Sequence, residues 1–515
     1  MPEQPQFGKL RNFLWPIARY EFKKFIPMIF LIFLISANYN ILKIIKDSTV
    51  IPVVGADAIP YIKVWLMLPV AVLMTAFFSY IVQVFDENKA FYIIISTFLA
   101  FFTVFVLIIY PNKEYFYFDS LANYFGNILP LGAKGLIAVV RYWHLCIFYT
   151  MCEIWGTTVL FVLFWGFANR VTQLNEAKRF YPLFGLAGNS SGIFAPLFFS
   201  WASQKNFDLG YFKSDWEQTL LLSYVGISIS AVLTMSIYFI ANKYIFARRK
   251  QESFTPKEKL GSTKKPKPFF ESLRMLVRIP YVRNITIIVL SYNIVINLTE
   301  VLWKSQIKAL YPNSIEYGLY FGKVMMMTGV IATISDLVLC SNLIRRFGWT
   351  TAAMITPMIL LLTSIGFFGI LIFDSFFESV LVHVMGVSPL VLAAFFGSAQ
   401  NALSRASKYS LFDATKEISF IPLDMESRIQ SKAAIDGVCS RVGKSGGSVI
   451  YQVLMLFTGG LSACIPHVAA IVAAIIFFWF SSVLQIGKKF KLLTEKKSQL
   501  PSGHSSSLSQ ESFAN

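Results

Sequence analysis

The sequence predicts an all-α polytopic membrane protein, and three observations support that fold class. Of the 515 residues, 55% are hydrophobic and only 14% are charged, whereas soluble domains are about 45–50% apolar and about 25% charged. Apolar runs of about 18 or more residues, long enough to cross a bilayer as helices, recur along the whole chain. A long basic segment divides these runs into two equal groups.

Twelve membrane-spanning helices are predicted from these runs. Proline and glycine inside several of them are tolerable where neighbouring helices satisfy the freed backbone groups. The predicted spans are residues 25–45, 61–84, 91–110, 142–168, 180–202, 219–242, 284–303, 319–342, 350–373, 379–403, 433–457 and 461–486.

The charge pattern divides the chain into five regions. The basic stretch "ARRKQESFTPKEKLGSTKKPKPFF" lies between the two groups of spans and is expected to be a linker near anionic lipid. The polar end "KKSQLPSGHSSSLSQESFAN" is expected to be disordered. The predicted regions are an N-terminus at 1–24, a six-helix half at 25–242, a linker at 243–283, a second six-helix half at 284–486 and a tail at 487–515.

Basic residues concentrate in alternate loops, which predicts the orientation. They crowd the N-terminus, the 169–179 loop, the 343–349 turn and the segment after the last span, while "DSFFE" carries no base. By the positive-inside tendency both termini are cytoplasmic. The N-terminus resembles neither a signal peptide nor a transit peptide. We therefore expect a bacterial inner-membrane protein.

Composition also argues against several functions. The net charge of +18 could indicate nucleic-acid binding, but the basic linker has little aromatic interleaving and no recognisable nucleic-acid fold. The five cysteines lack CxxC pairing and the four histidines lack metal-ligand spacing. We expect no nucleic-acid partner, no metal site and no cofactor.

The two groups of spans show faint internal similarity. "NYNILKIIKDS" in the first span resembles "SYNIVINLTEVLWKS" in the seventh, and "GLAGNSSGI" in the fifth resembles "SRVGKSGGS" in the eleventh. Each pair is six spans apart, as two halves related by an axis along the membrane normal require. A substrate site is then expected near the midplane, between the halves.

Ionisable residues within spans are the candidates for that site. Each costs about 2.5–3.5 kcal/mol on insertion scales and usually faces a partner or a cavity. The residues selected in this way are Lys43 and Lys46 near the end of the first span, Glu153, Glu300, Asp336, Asp436, Arg441 and Lys444.

Several of these candidates also have a purely structural interpretation. Glu153 could form a salt bridge between helices or contact substrate, together with Tyr149 one turn before it. Glu300 and Lys304 could form a local i,i+4 pair or a gate. Lys46 could extend its ammonium to the membrane interface.

The stretch "DGVCSRVGKSGGS" is not a P-loop. Five residues separate Gly437 and Gly443, one more than the motif allows, and the preceding residues are polar and not an apolar strand. The glycines could permit close helix packing. Packing does not require Arg441 and Lys444, which share one helical face and suit the binding of phosphate.

The residues thus indicate a transporter with a positive central site for an organic anion, and phosphorylated compounds fit such a site. Two alternatives are a major-facilitator-type transporter of another organic phosphate and a membrane enzyme acting on phosphorylated lipid. The enzyme would need a catalytic acid pair or histidine cluster at the interface, and the sequence shows none.

Four stretches resemble the nucleotide transporters of obligate intracellular bacteria and plastids, the ATP/ADP antiporter family. They are "ILKIIKDSTV", "CEIWGTTVLFVLFWGFANRVTQLNEAKRFYPLFGLAGNSSG", "NLTEVLWKSQIKALYPNSIEYG" and "DATKEISFIPLDMESRIQSKAAIDGVCSRVGKSGGS". The resemblance implies a fold similar to the major facilitator transporters and exchange of external ATP for internal ADP. Proton-coupled import of several nucleotides is an alternative within the same family, and phosphate is a further candidate substrate.

The family's important charges fall at Lys46, Glu153 and Glu300. Its fourth, a lysine, matches Lys444 best, ahead of Lys432 or Lys416. We expect the cations to hold the phosphates without hydrolysis, the acids to orient the base or ribose, and the empty carrier to leave the cations unpaired. We also expect the carrier to work as a monomer.

Overall fold

The computed structural model describes residues 15–205, 212–246, 274, 276–338, 340–374, 376–378, 386–423 and 425–499. Every regular element within these ranges is helical, and ten of the helices there are long and apolar enough to cross a membrane. The predicted all-α polytopic membrane fold is confirmed. The helices Pro389–Ser407 and Ser440–Thr458 cover most of the tenth and eleventh predicted spans but are less apolar, so the count of twelve stays a prediction.

The first half contains six long helices, labelled α1 to α6. Several contain a π-helical turn, in which the backbone bonds run from residue i to i+5. They are α1, Phe22–Val54; α2, Ala56–Val84 with a π segment at Ile62–Leu66; α3, Glu87–Val104 with Phe105–Ile109; α4, Trp143–Val171 with Gly156–Phe164; α5, Leu174–Ser203; and α6, Asp215–Ile240 with Ala241–Phe246.

The second half contains the helices α7 to α12. The α9 helix bends at Gly348, whose φ of 81° lies in the left-handed region that favours glycine. They are α7, Pro280–Leu310; α8, Ser314–Val338; α9, Cys340–Ile372; α10, Pro389–Ser407 continued by Lys408–Phe412 and Asp413–Ser419; α11, Met425–Ala434 continued by Ile435–Cys439 and Ser440–Thr458; and α12, Ile465–Gln499.

Two predicted boundaries differ from the structure. The α1 helix has 33 residues and ends only where Gly55 adopts a φ of 104°, because its apolar character persists on both sides of Lys46. The predicted loop after the third span contains two short helices, Asp119–Ile128 and Lys134–Arg141. Residues 1–14, 247–273, 379–385 and 500–515, which hold most of the predicted N-terminus, linker and tail and part of the tenth span, lie outside the described residues.

The internal similarity corresponds to equivalent packing in the two halves. A Cβ on Gly192 of α5 would lie 3.8 Å from the Asn40 amide of α1. A Cβ on Gly447 of α11 would lie 3.0 Å from Cβ of Asn297 on α7. The same pair of helices therefore packs in each half. The glycine is required for the close approach of α11 to α7, whereas the contact at Gly192 is an ordinary one.

The halves contact each other at one end of the bundle, which we call the far end because the chain termini lie at the other. There Gln452 of α11 donates to the carbonyl of Pro60 at 3.0 Å, and Trp65 donates to Gln452 at 3.1 Å. The connection before α4 also reaches α11, since a Cβ on Gly132 would lie only 1.9 Å from the carbonyl oxygen of Met455. The far end is therefore closed.

The end of the bundle that carries the chain termini is called the terminal end. The face of α11 that carries Gln452 and Met455 becomes exposed toward this end. Met455 and Ser448 are buried on that face, whereas Arg441 and Lys444, one or two turns nearer the terminal end, are exposed. The halves therefore separate toward the terminal end, leaving a space between them that is closed at the far end.

Candidate functional site

Lys46 lies in the interior of the bundle, where α1 meets α4. Its side chain is 2% exposed, and its Nζ lies 2.7 Å from Asp47 Oδ1 and 3.0 Å from Glu153 Oε1. The ammonium also lies 3.9 Å from the ring centroid of Tyr149, a favourable cation–π geometry. Lys46 does not extend to the membrane interface, and Glu153 does form a salt bridge between helices.

Asp47 connects the two halves. Its carboxylate accepts from Lys46 of its own helix and from Lys304 of α7, whose Nζ lies 3.0 Å from Oδ2 and 3.2 Å from Oδ1. Asp47 is 1% exposed and Lys304 2% exposed, so water does not screen this pair.

Glu300 is the corresponding acid on α7. Its Oε1 lies 3.2 Å from Lys304 and 3.3 Å from Arg405 Nη2 of α10, and its Oε2 lies 3.7 Å from Lys63 of α2. The i,i+4 pair expected between Glu300 and Lys304 is present, but it forms one part of a larger network that again joins the halves.

These contacts form one continuous network between the halves, which we call the central charge network. Its three acids and four bases give it a net positive charge. Parts of it reach solvent, since Glu153 is 25% exposed and Arg405 27%. The members are Lys46, Asp47, Lys63, Glu153, Glu300, Lys304 and Arg405.

Lys43 borders the network without an acidic partner among the described residues. Its Nζ lies 4.0 Å from the ring centroid of Tyr39 and 3.4 Å from Asn40 Oδ1. The Tyr39 hydroxyl reaches Glu153 Oε2 at 3.5 Å. The ring fits because residue 156 is glycine: a Cβ there would lie 2.4 Å from the Tyr39 Cζ.

Lys444 and Arg441 lie on α11, on the other side of the space between the halves. Neither forms an ion pair or a side-chain hydrogen bond within the described part of the chain. The ammonium of Lys444 is close enough to Lys408, Glu153 and Lys63 to interact with them electrostatically. The space between the halves is thus lined by cations that lack an acidic partner.

The glycines of the "GKSGG" stretch have the packing role considered from the sequence. The stretch belongs to a helix, and a Cβ on Gly443 would lie 2.8 Å from Cβ of Asn293 on α7. The amide of Asn297 donates to the Lys444 carbonyl at 2.7 Å. The glycines contact α7, while Lys444 and Arg441 are exposed.

The sequence matches one family over nearly its whole length. A family model described as "TLC ATP/ADP transporter" covers residues 2–490. The chain belongs to this family. It is therefore a multi-pass membrane transporter of the ATP/ADP type, and the resemblance stated from the sequence motifs is confirmed.

Individual relatives of the chain are named as carriers of ADP and ATP, in agreement with the family. The chain is 40% identical over 500 residues to "ADP,ATP carrier protein 1" of Chlamydia muridarum, covering 96% of this chain and 94% of that protein. It is 36% identical over 506 residues to "ADP,ATP carrier protein 1" of Rickettsia bellii, covering 95% and 98%. The chloroplastic "ADP,ATP carrier protein 1" of Arabidopsis thaliana is 36% identical over 480 residues, covering 92% and 75%.

Solved structures of other transporters share the fold. A point mutant of the nucleoside transporter NupG superposes with a TM-score of 0.52 at 11% identity, over 90% of this chain and 99% of that one. A D-xylose–proton symporter gives 0.50 at 12% identity, over 89% and 97%. The likeness shows the fold alone, and it confirms the predicted major-facilitator-like architecture.

The two alternative lysines of this ATP/ADP transporter are both paired. Lys416 lies 2.8 Å from Asp436 and Lys432 lies 2.5 Å from Glu417, all within α10 and α11. Asp436 therefore forms an ion pair with Lys416 near the terminal end. The side chain of Asp336, also selected from the sequence, lies outside the described residues.

Sequence reasoning missed three members of the central charge network. Asp47 was considered only as the residue next to Lys46 and was not selected as a candidate. Lys63 was not selected either, because it lies at the edge of a predicted span. Arg405 lay two residues beyond the predicted end of the tenth span, because the polar run "SRASKYS" masks a helix that continues to Ser419. The structure marks two of these regions by separate π-helical segments, one that begins at Gly156, just after Glu153, and one that contains Lys63; π turns are frequent at functional sites but are not visible in the sequence.

Proposed function

We propose that this transporter exchanges external ATP for internal ADP by alternating access around a central cationic site between the halves. One observation carries the proposal: Lys46, Glu153 and Glu300 come from both halves and meet in one network, beside cations that lack acidic partners. A site at the interface of the repeats, with the halves moving about it, is the arrangement expected of such transporters.

The cations without acidic partners are the proposed first contacts for phosphate. Lys43 approaches from the first half, and Lys444 and Arg441 from the second. Arginine can hold phosphate through two parallel hydrogen bonds and lysine acts as a point charge. A nucleotide between α1 and α11 would therefore be held by both halves.

Lys46 has a different role in this proposal from the one expected from the sequence. The expectation that an empty carrier leaves its cations unpaired is wrong for Lys46, which is bound by Asp47 and Glu153. Phosphate can reach Lys46 only by replacing an acid. Glu153 is the exchangeable one, because it is 25% exposed whereas Asp47 is 1% exposed. Tyr149, 1% exposed, lies against Lys46 and supports it.

Exchange follows from the remaining positive charge. If the empty carrier closed at the terminal end, Lys43, Lys444 and Arg441 would lose water without gaining an anion, and burying an unpaired charge is costly. A bound nucleotide supplies that anion. The loaded carrier should therefore change state much faster than the empty one, which makes transport an exchange.

The proposed setting is a bacterial inner membrane with both termini in the cytoplasm. The space between the halves then opens to the cytoplasm in this structure, where ADP would enter. One chain contains every residue of the proposed site, so we propose a monomeric transporter that moves the nucleotide without hydrolysing it.

Uptake of labelled ATP into proteoliposomes, with and without ADP preloaded, tests this function. We expect uptake that depends on internal ADP and that unlabelled ADP outside inhibits. Uptake into empty vesicles driven by an inward proton gradient would contradict exchange and indicate a proton-coupled importer. Uptake that neither nucleotide inhibits would point to a different organic phosphate.

A further inference from the structure

The central charge network contains one fully buried ion pair that crosses from one half to the other. Asp47 of α1 and Lys304 of α7 are 1% and 2% exposed, and two distances of 3.0 and 3.2 Å join them. The other contact across the halves in this network, Lys63 with Glu300, is longer at 3.7 Å and involves partly exposed side chains.

The pair lies on the closed side of the space between the halves. Moving from it toward the far end, α1 remains buried at Val50 and Ile51. Beyond these residues, Gly132 packs against the backbone carbonyl of Met455 on α11. Opening the far end must part these surfaces, and Asp47 would then separate from Lys304.

Each member of the pair has a second partner within its own half. Asp47 also binds Lys46, the preceding residue of α1, at 2.7 Å. Lys304 also binds Glu300, one turn earlier on α7, at 3.2 Å. The link across the halves can therefore break without leaving either charge alone in the interior, where an unpaired charge would be strongly destabilising. Such a contact can form and break in every cycle.

The internal repeat places the two acids at equivalent positions. Aligning "NYN" at 38–40 with "SYN" at 291–293 matches Asp47 with Glu300. Lys304 lies between these two acids, one from each half. The link thus joins equivalent positions of the two halves.

We propose that Asp47 and Lys304 form a latch that holds the far end closed while the site is open at the terminal end. They act as positioning residues for the exchange and are not contacts of the nucleotide. The proposal rests on the proposed function only in that alternating access gives the latch its use. The closed far end itself can be tested without any nucleotide.

Accessibility of the far end is the readout. Met455→Cys places a thiol at a residue whose backbone carbonyl packs against Gly132 and whose native side chain is 1% exposed. The full chain, with its five native cysteines replaced by alanine, is purified in detergent so that both ends face solvent. The rate of alkylation by a polar maleimide without nucleotide then reports how often the far end opens.

Lys304→Met and Asp47→Asn should each raise that rate by about tenfold, within the range of typical couplings between sites. The double variant should match the single ones, because both remove one interaction. Lys304→Arg should stay near the parent rate. Lys323→Met, which removes an exposed lysine of α8, serves as the matched control and should have no effect.

Rates within twofold of the parent in both latch variants would overturn the proposal, as would an equal rise in Lys323→Met. If one latch variant does not fold, the other variant must still raise the rate, with Lys304→Gln as a second replacement of the lysine; no rise would again overturn the latch. Failure of the proposed function would appear separately, as a parent protein that does not exchange ATP for ADP in vesicles.

Discussion

Gly156→Ala perturbs the proposed site through a single methyl group. The added Cβ would lie 2.4 Å from Cζ of the Tyr39 ring, with a further ring atom at 2.6 Å. Ordinary carbon contacts need about 3.5–4.0 Å, so the ring must move by about 1 Å or more. It would carry with it the hydroxyl that reaches Glu153 and the ring face under Lys43.

The magnitude follows from two opposing terms. Forcing an extra methyl group into a packed interior typically costs about 1–3 kcal/mol, and alanine regains about 0.5–1 kcal/mol relative to glycine within a helix. The net cost to the fold is about 1–2 kcal/mol, which displacement of the Tyr39 ring relieves. If the nucleotide loses a similar amount of interaction with the displaced ring and Lys43, the KM for ADP rises by roughly five- to thirtyfold, since about 1.4 kcal/mol corresponds to a factor of ten.

The assay is ADP-dependent ATP exchange in proteoliposomes, with the melting temperature of each purified variant measured beside it. Gly166→Ala is the matched control, because it changes the same helix at a position where a Cβ meets nothing within 4 Å. A Gly156→Ala protein with the same KM as the Gly166→Ala protein would refute the placement of Tyr39 and Lys43 at the nucleotide site.

Three further substitutions test other parts of the proposed site and of the closed far end. Lys444→Met should lower the rate of ATP/ADP exchange at least tenfold. Lys432→Met removes a partly exposed lysine that is already paired with Glu417, and its exchange rate should stay within about twofold of the parent. Equal effects of the two substitutions would contradict the choice of Lys444. Glu300→Gln removes the negative charge that three basic neighbours share. It should abolish exchange and lower the melting temperature, because breaking buried pairs costs about 3–5 kcal/mol. An unchanged melting temperature would argue against the central charge network. Gly132→Ala places a methyl group against the Met455 carbonyl and should hinder closure of the far end, seen as slower exchange with unchanged expression; a parental exchange rate would contradict the closed far end.

Membrane insertion explains why much of this protein could be predicted from its sequence. A charge within an apolar run is costly, so Lys46, Glu153 and Glu300 stood out before their surroundings were known. The repeat was visible because small residues occupy matching positions in the two halves, Gly192 in the first and Gly447 in the second, at the contacts of α5 with α1 and of α11 with α7.

The partners of these charges could not be predicted in the same way. Asp47 binds Lys304, more than 250 residues away in sequence, and no local pattern specifies a pairing that depends on how two halves dock. Arg405 was missed because the charged residues and buried serines of "SRASKYS" lower the hydropathy of a helix that nevertheless continues. Hydropathy identifies helices surrounded by lipid more readily than helices that line a polar space.

The most direct test of the central claim is a structure of the full chain with ADP bound. We predict the phosphates between the halves, within hydrogen-bond distance of Lys444 and of Lys43 or Lys46, with Glu153 displaced from the lysine it binds in the empty protein. Phosphates bound elsewhere, with the contacts of Lys46 unchanged, would contradict that claim.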